Sequence, residues 1–119
     1  MSKYFRFEDL EIWKGAIRIS IILLDIADKL EAEKLWRFTD QLRSVAMSIP
    51  NNIAESTSTW LPGEQRQSLR ASKKESFEAA NILVILEIKL VISKELKEST
   101  YSRLSSLCRQ IQSYSDSLK

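Results

Sequence analysis

Hydrophobic residues recur along the chain at steps of three and four positions, the spacing that places side chains on one face of an α-helix. Three short polar stretches interrupt this pattern, and the chain contains only two glycines and two prolines. The pattern therefore predicts four helices and no strand. We expect an all-α fold, an antiparallel up-down-up-down four-helix bundle that forms one domain over residues 1–119, because short connections join helices that each carry a core stripe.

The first predicted helix runs from about Asp9 to Lys29, with Asp9 as its N-cap and Phe7 packing back onto its first turn. It carries two adjacent apolar stripes, which together are wider than the face that one bundle core buries. One stripe consists of Trp13, Ala16, Ile17, Leu24 and Ala27, and the other of Ile12, Ile19, Leu23, Ile26 and Leu30. This surplus of apolar surface predicts a homo-oligomer that hides it from water.

The second predicted helix carries one core stripe that continues across Pro50. The stripe consists of Leu35, Phe38, Leu42, Val45, Ile49 and Ile53. An interior proline removes one hydrogen bond of the helix, but the unbroken stripe favours one continuous helix with a kink over two separate helices. The turn-forming residues from Ser56 to Gly63 then predict the main loop between helices.

The third predicted helix, about Glu64 to Ile92, is the longest, and the fourth begins between Lys94 and Thr100. Small residues in the third helix should let a neighbouring helix approach closely, namely Ser72, Ser76, Ala79 and Ala80. The fourth helix places its apolar side chains on one face, namely Tyr101, Leu104, Leu107, Cys108, Ile111, Tyr114 and Leu118. The core residues expected from these patterns include Leu42, Ile49, Ile53, Phe77, Leu83 and Leu104.

The composition excludes most familiar catalytic and metal-binding sites. The 119 residues include no histidine and one cysteine, so Ser-His-Asp triads, HExxH zinc sites and Glu-x-x-His di-iron sites cannot be built. Gly15 and Gly63 lie too far apart to form a phosphate-binding loop. The lone Cys108 lies at a core spacing, which indicates a small buried hydrophobe. We therefore expect no enzyme, no cofactor and no metal.

The hydropathy pattern indicates a cytoplasmic protein that does not contact membranes. The N-terminal residues are too polar for a secretory signal, and no run of about eighteen apolar residues could cross a bilayer. The 18 Lys and Arg residues against 16 Asp and Glu residues give a net charge of +2. A net charge this small does not identify a partner by itself.

One group of charges does suggest a partner. Arg66, Arg70, Lys73 and Lys74 occur at positions i, i+4, i+7 and i+8 of the third predicted helix, and so share one face. Four cations in a row can contact the phosphates of RNA or DNA. The alternative is a solvated helix face on which three nearby glutamates form ion pairs with them. Trp60, in the adjoining loop, could stack on a base or pack over a helix end.

Residues 41–55 read QLRSVAMSIPNNIAE. This segment resembles the signature of the four helix bundle proteins, a bacterial family first noticed as open reading frames inside intervening sequences of 23S ribosomal RNA genes. Segments 7–16 and 69–78 resemble two further parts of the family pattern. We interpret the motif residues as structural, since polar side chains beside a helical proline commonly bind the backbone or a neighbouring helix. These residues are Arg43, Ser48, Pro50, Asn52 and Glu55.

The resemblance implies a small helical bundle without an established activity, commonly assembled as a homopentamer. A related group of similar fold serves as an accessory protein to reverse transcriptases in diversity-generating retroelements. Two functions therefore stay open: a nucleic-acid-associated accessory protein, and a protein-interaction or structural oligomer that binds no nucleic acid. The surplus of apolar surface alone would favour a dimer, because a dimer is the commonest assembly. The resemblance to the family changes the expected number of chains per assembly to five.

Overall fold

The fold is all-α, as expected. The computed structural model describes residues 4–119, a range that contains four α-helices, one 3₁₀ turn and no strand. Helix α1 spans Glu11–Ala32, α2 spans Trp36–Ser56, α3 spans Pro62–Ile88 and α4 spans Lys94–Ser117. The 3₁₀ turn Arg6–Asp9 precedes α1. The first three residues of the expected domain, 1–3, lie outside the described range.

The helices pack in the order in which they follow one another. Helix α1 contacts α2, α2 contacts α3, α3 contacts α4, and α4 returns to contact α1. Within residues 4–119 the diagonal pairs, α1 with α3 and α2 with α4, make no close backbone contact. This pattern is consistent with the expected antiparallel bundle, and the molecule measures 44 × 24 × 23 Å. None of the helices in the described chain combines the length and apolarity that a bilayer-spanning segment needs.

One apolar cluster with members from all four helices forms the core. Its largest fully buried apolar side chains are Leu23, Leu30, Leu42, Ile49, Ile53, Leu69, Leu83, Leu86, Leu104, Leu107 and Ile111. The expected core positions Leu42, Ile49, Ile53, Leu83 and Leu104 are all among them. The apolar spacing of α2 and α4 therefore identified the faces that these helices bury. In α1 the stripe from Ile12 to Leu30 is buried and the larger side chains of the other stripe are partly buried, so these two stripes leave less exposed apolar surface than expected.

The prediction that Phe77 belongs to the core is wrong, because 64% of its surface is exposed. The buried face of α3 contains the small polar residues Ser72 and Ser76 together with Leu69 and Leu83. Successive residues of a helix are rotated by about 100°, so Phe77 lies well away from the face that buries Ser76. The hydrophobicity of Phe77 suggested a core position, but α3 packs so that the neighbouring residue Ser76 is buried instead.

Helix α1 begins at Glu11 rather than at Asp9, so the predicted Asp9 cap is wrong. Leu10 occupies the N-cap position, where its side chain forms no capping hydrogen bond, and Asp9 ends the preceding 3₁₀ turn. The expected packing of Phe7 on the first turn is confirmed, because its ring centroid lies 5.0 Å from that of Trp13. Aromatic contact therefore sets the entry of the chain into α1.

The prediction of a continuous second helix is confirmed. Helix α2 runs from Trp36 to Ser56 with Pro50 inside it. Pro50 is buried, and Ile49 and Ile53 on either side of it are fully buried in the core. Packing of this apolar face holds the helix together across the position where the proline lacks an N–H donor.

Helix α3 ends earlier than expected, at Ile88. Leu90 adopts a left-handed conformation with φ of 62°. The amide of Leu90 donates to the carbonyl of Glu87 at 2.9 Å, and the amide of Val91 donates to the carbonyl of Leu86 at 2.9 Å. This pair of hydrogen bonds is a Schellman motif, which usually has glycine at the left-handed position. Since leucine is an unusual residue there, the sequence carried no signal for this helix end.

We expect Leu90→Gly to increase the free energy of unfolding by about 0.5–1 kcal/mol, because glycine adopts the left-handed conformation without a Cβ clash. The Leu90 side chain is 90% exposed, so its removal costs little packing. Urea unfolding measures the change. Leu90→Ala is the matched control, since it removes the same side chain but keeps Cβ. A Leu90→Gly variant no more stable than Leu90→Ala would contradict the explanation.

Candidate nucleic-acid interface

A row of four cations lies on α3 on the side of α4. We call it the basic stripe, and it consists of Arg66, Arg70, Lys73 and Lys74. Arg66 donates from Nη1 to the backbone oxygen of Leu118 at 3.3 Å. Lys73 donates from Nζ to Oε1 of Gln112 at 2.9 Å. These neutral acceptors on and beyond α4 orient two of the cations without neutralising their charge.

The basic stripe makes no salt bridge within residues 4–119. The glutamates considered as partners from the sequence, Glu64, Glu75 and Glu78, form no ion pair with it. The pKa of the Glu75 carboxyl is raised, mainly by burial and then by repulsion from Glu78, while Lys74 acts in the opposite direction. None of the four cations is thus in a salt bridge within the described residues, and the carboxylate that lines a hollow with Arg66, Arg70 and Lys73 is that of Asp116.

A groove between α3 and α4 follows the basic stripe. It contains three adjoining hollows that all share Lys73 as a lining residue. The largest hollow has a volume of about 400 Å³ and no acidic lining residue. Its lining residues are Lys73, Ser76, Phe77, Ala80, Tyr101, Leu104, Ser105, Cys108, Arg109 and Gln112. We call the three hollows together the α3–α4 groove.

Two exposed aromatic rings line this groove beside the cations. Phe77 on α3 and Tyr101 on α4 are 64% and 44% exposed, respectively. The Nζ atom of Lys97 lies 5.3 Å from the ring centroid of Tyr101, and Lys97 also forms an ion pair of 3.1 Å with Glu87. The groove therefore combines positive charge with accessible aromatic surface, the two features used to bind nucleic-acid strands.

Arg109 adds a fifth cation to the groove, from α4. Its Nη1 donates to Oγ of Ser105 at 2.8 Å, a contact within one turn of the same helix. Arg109 forms no salt bridge in the part of the chain that the structure describes. Lys73 and Arg109 thus border one hollow from α3 and α4.

Trp60 lies outside the groove, in the loop between α2 and α3, and is 76% exposed. The guanidinium carbon of Arg6 lies 3.4 Å from its ring centroid. Arg6 also donates to the backbone oxygens of Thr57 and Thr59. The stack fastens the N-terminal 3₁₀ turn to this loop, so Trp60 has a structural partner.

Arg43 joins α2 to α1 on the outside of the bundle. Its Nη2 donates to Oδ1 of Asp28 at 2.9 Å and to Oε1 of Glu31 at 3.0 Å, and its Nη1 donates to Oε2 of Glu31 at 3.0 Å. These hydrogen bonds lower the pKa of Glu31 below its usual value and raise the pKa of Arg43. Both terminal nitrogens of the guanidinium group, Nη1 and Nη2, thus donate to carboxylates.

The other residues of the segment 41–55 also lie away from the α3–α4 groove. Asn52 donates from Nδ2 to the backbone oxygen of Ser48 at 2.9 Å, a contact that spans the buried Pro50 within α2. Glu55 is exposed near the end of α2 and forms no salt bridge within residues 4–119. The structure therefore does not bring these residues together with the basic stripe.

Comparison with known proteins identifies the family. The family model described as 23S rRNA-intervening sequence protein matches residues 8–113, a range that includes the segment 41–55, the basic stripe and every lining residue of the α3–α4 groove except Ser115 and Asp116. The chain belongs to the 23S rRNA-intervening sequence protein family. None of the curated proteins compared with the chain matches it. The resemblance seen in short segments of the sequence thus extends over nearly all of this family member.

The groove of this family member offers cationic and aromatic side chains as binding groups. In the described chain there is no cluster of three or more Cys, Asp or Glu side chains that could hold a metal ion. Cys108 is half-buried, and burial is the main reason why the pKa of its thiol is raised. A raised pKa disfavours the reactive thiolate at neutral pH. The groove can therefore hold an anion and cover apolar or aromatic surface.

The sequence identified the basic stripe but missed Phe77, Tyr101 and Arg109 as site residues. The two aromatic residues were assigned to core-facing positions because of their hydrophobicity and spacing. Arg109 lies in α4, whose lateral register against α3 depends on tertiary packing and cannot be obtained from the periodicity of either helix. A helical wheel with Ser72 and Ser76 placed inward would have brought Phe77 to the surface.

We expect Arg43→Gln to destabilise the fold at neutral pH, with a difference that decreases as the pH falls below 4.5, the ordinary pKa of a glutamate. Because the folded-state pKa of Glu31 is lowered, its ion pair contributes stability above the unfolded-state pKa and loses it as the pH falls through the folded-state value. Urea unfolding at several pH values measures this. Arg37→Gln, at an exposed α2 arginine, is the control. A difference that stays constant down to about pH 3 would contradict the role of Glu31.

Proposed function

We propose that this family member is a non-enzymatic accessory protein that binds RNA or DNA through the basic stripe and the α3–α4 groove. The main support is a row of cations without carboxylate partners in the described chain. Phosphate contacts by such cations release counterions and supply most of the sequence-independent affinity for nucleic acids. A paired cation such as Arg43 would first have to give up its carboxylates.

The proposed assembly is a cytoplasmic homo-oligomer of single-domain, antiparallel up-down-up-down bundles. Its support is the apolar surface that one chain leaves exposed, including Ile21, Met47, Ile85 and Ile88. Exposed apolar surface of this kind can mark an interface when neighbouring residues combine it into one patch. We favour five chains per assembly, because members of the family commonly assemble as homopentamers. Repetition of the basic stripe around a ring would increase the number of phosphates that one assembly can contact.

A protein-interaction or structural oligomer that binds no nucleic acid is the second candidate. The same exposed apolar side chains favour it, since they could contact a different protein or another copy of this chain. Under this alternative the α3–α4 groove is an interface for protein, and the cations at its border serve solubility. Dependence of binding on salt distinguishes the two functions, because phosphate contacts weaken steeply as salt increases.

We expect the protein to bind an RNA strand with a slope of log K against log salt of about −3, the value for four phosphate contacts. Arg70→Gln/Lys74→Gln should reduce the slope by about 1.5, because it removes two exposed cations from the stripe. Fluorescence anisotropy over a salt series measures both. The matched control is Lys29→Gln/Arg37→Gln, which removes the same charge from exposed positions of α1 and α2.

The control variant should keep the slope of the unmodified protein. An equal decrease of the salt slope in both double variants would mean that the net charge of the protein, rather than the basic stripe, provides the affinity. A protein that binds no nucleic acid at low salt would contradict the proposed function and favour the protein-interaction candidate.

Sedimentation equilibrium at micromolar concentration tests the assembly. We expect a mass about five times the 13.8 kDa of one chain, since a closed ring hides the apolar surplus of every copy. A mass near 13.8 kDa would contradict any stable oligomer. A dimer would contradict the count of five while leaving the surface argument intact.

A further inference from the structure

The accessible ring of Phe77 shares a hollow with three cations. This hollow has a volume of about 390 Å³ and is lined by Arg70, Lys73, Lys74 and Phe77 alone. The apolar ring of Phe77 is therefore open to solvent, and side chains that attract anions lie around it. A phosphate ion would use the cations but leave the ring without a partner. The hollow is complementary to a ligand that carries both negative charge and a flat apolar face.

The opposite side of the groove repeats this combination. Tyr101 and Arg109 on α4 line the same 400 Å³ hollow as Lys73 and Phe77. Lys97 lies near the Tyr101 ring, yet the ring stays 44% exposed. Both hollows that contain Phe77 lack acidic lining residues. Aromatic surface and positive charge thus face a common space from two helices.

Resting on the nucleic-acid role proposed above, we propose that the α3–α4 groove binds single-stranded nucleic acid, with unpaired bases stacked on Phe77 and Tyr101 and the phosphates held by the neighbouring cations. In a duplex the faces of the bases are stacked on one another and cannot reach these rings. A single strand offers bases and phosphates together, and each base has a π-face that an aromatic side chain can stack on.

The groove has a length suited to a short stretch of one strand. From Arg66 to Ala80, α3 extends about 21 Å at 1.5 Å per residue. At about 3.4 Å per nucleotide, the spacing along one strand of a B-form helix, this corresponds to roughly six nucleotides. Single-stranded RNA and DNA share the required chemistry, so both belong in the test.

The test measures fluorescence anisotropy with a mixed-sequence 12-nucleotide strand, as RNA and as DNA, and with the corresponding duplexes. We expect tighter binding of the single strands. Phe77→Ala should weaken single-strand binding by about 5- to 150-fold, the loss of one stacked base, and leave duplex binding and the salt slope unchanged. Phe77→Leu keeps an apolar side chain without a ring and should lose most of the same affinity. Preference for RNA or for DNA identifies the natural strand.

Trp36→Ala is the matched control, because Trp36 is an exposed aromatic residue at the start of α2, outside the groove. It should bind like the unmodified protein. Since Phe77 is exposed, its variants should retain the helical circular dichroism of the fold. Tyr101→Ala should also weaken single-strand binding, whereas Tyr101→Phe, which keeps the ring, should not.

Three outcomes would overturn the base-stacking proposal. If Phe77→Ala binds single strands normally while Arg70→Gln/Lys74→Gln does not, phosphate contacts alone carry affinity and only the general nucleic-acid role survives. If no strand or duplex binds, both proposals fail. If Phe77→Ala lowers the sedimentation mass, Phe77 belongs to a protein interface and the groove is covered in the assembly.

Discussion

The packing of α3 against α2 fixes the rotation of α3 in the bundle, and the candidate interface depends on that rotation. Ser72 donates from Oγ to the backbone oxygen of Ile49 at 2.8 Å, and both Ser72 and Ser76 are buried against the core. The small side chain of Ser72 lets the backbones of α2 and α3 approach, and a larger residue there would force these two helices apart. Ser76 instead lines the hollow that α3 shares with α4. With the serines inward, Lys73 and Phe77, each one residue further along the chain, lie on the outer side next to α4.

The same bundle uses its arginines in two different ways. Arg43 contacts two carboxylates of α1 and so holds α1 and α2 together on a partly exposed surface. Arg66 instead contacts a backbone carbonyl beyond α4, and Arg70 is exposed without a carboxylate partner in residues 4–119. A bidentate carboxylate pair is costly to exchange for a phosphate, whereas a cation bound only to a carbonyl or to water keeps its charge for a ligand. This difference separates the segment 41–55, which contributes structure, from the stripe on α3.

Periodicity predicted the helices, the continuity of α2 across Pro50 and nearly all of the tested core positions, because these features follow from which face of each helix is apolar. It misplaced Phe77, because hydrophobicity was given more weight than the small residues Ser72 and Ser76, and the hydrogen bond from Ser72 to α2 gives the inward position to a serine. The end of α3 at Ile88 was not predicted, because the left-handed position that follows it is occupied by Leu90, whereas glycine is the usual residue at such a position. The contribution of α4 to the groove was missed for a related reason, because Tyr101 and Arg109 line the groove only when α4 is packed on α3.

The central claim is that the outer side of α3, together with α4, contacts the bases of a nucleic-acid strand. Photo-crosslinking to a single strand that contains 4-thiouridine, followed by mass spectrometry of the crosslinked peptides, tests it most directly, because crosslinks form only where a base lies against a side chain. The account predicts crosslinks at Phe77 and Tyr101, lost when Arg70 and Lys74 are replaced by glutamine. Crosslinks confined to α1, to α2 or to the loop that carries Trp60, or no crosslink at all, would contradict it.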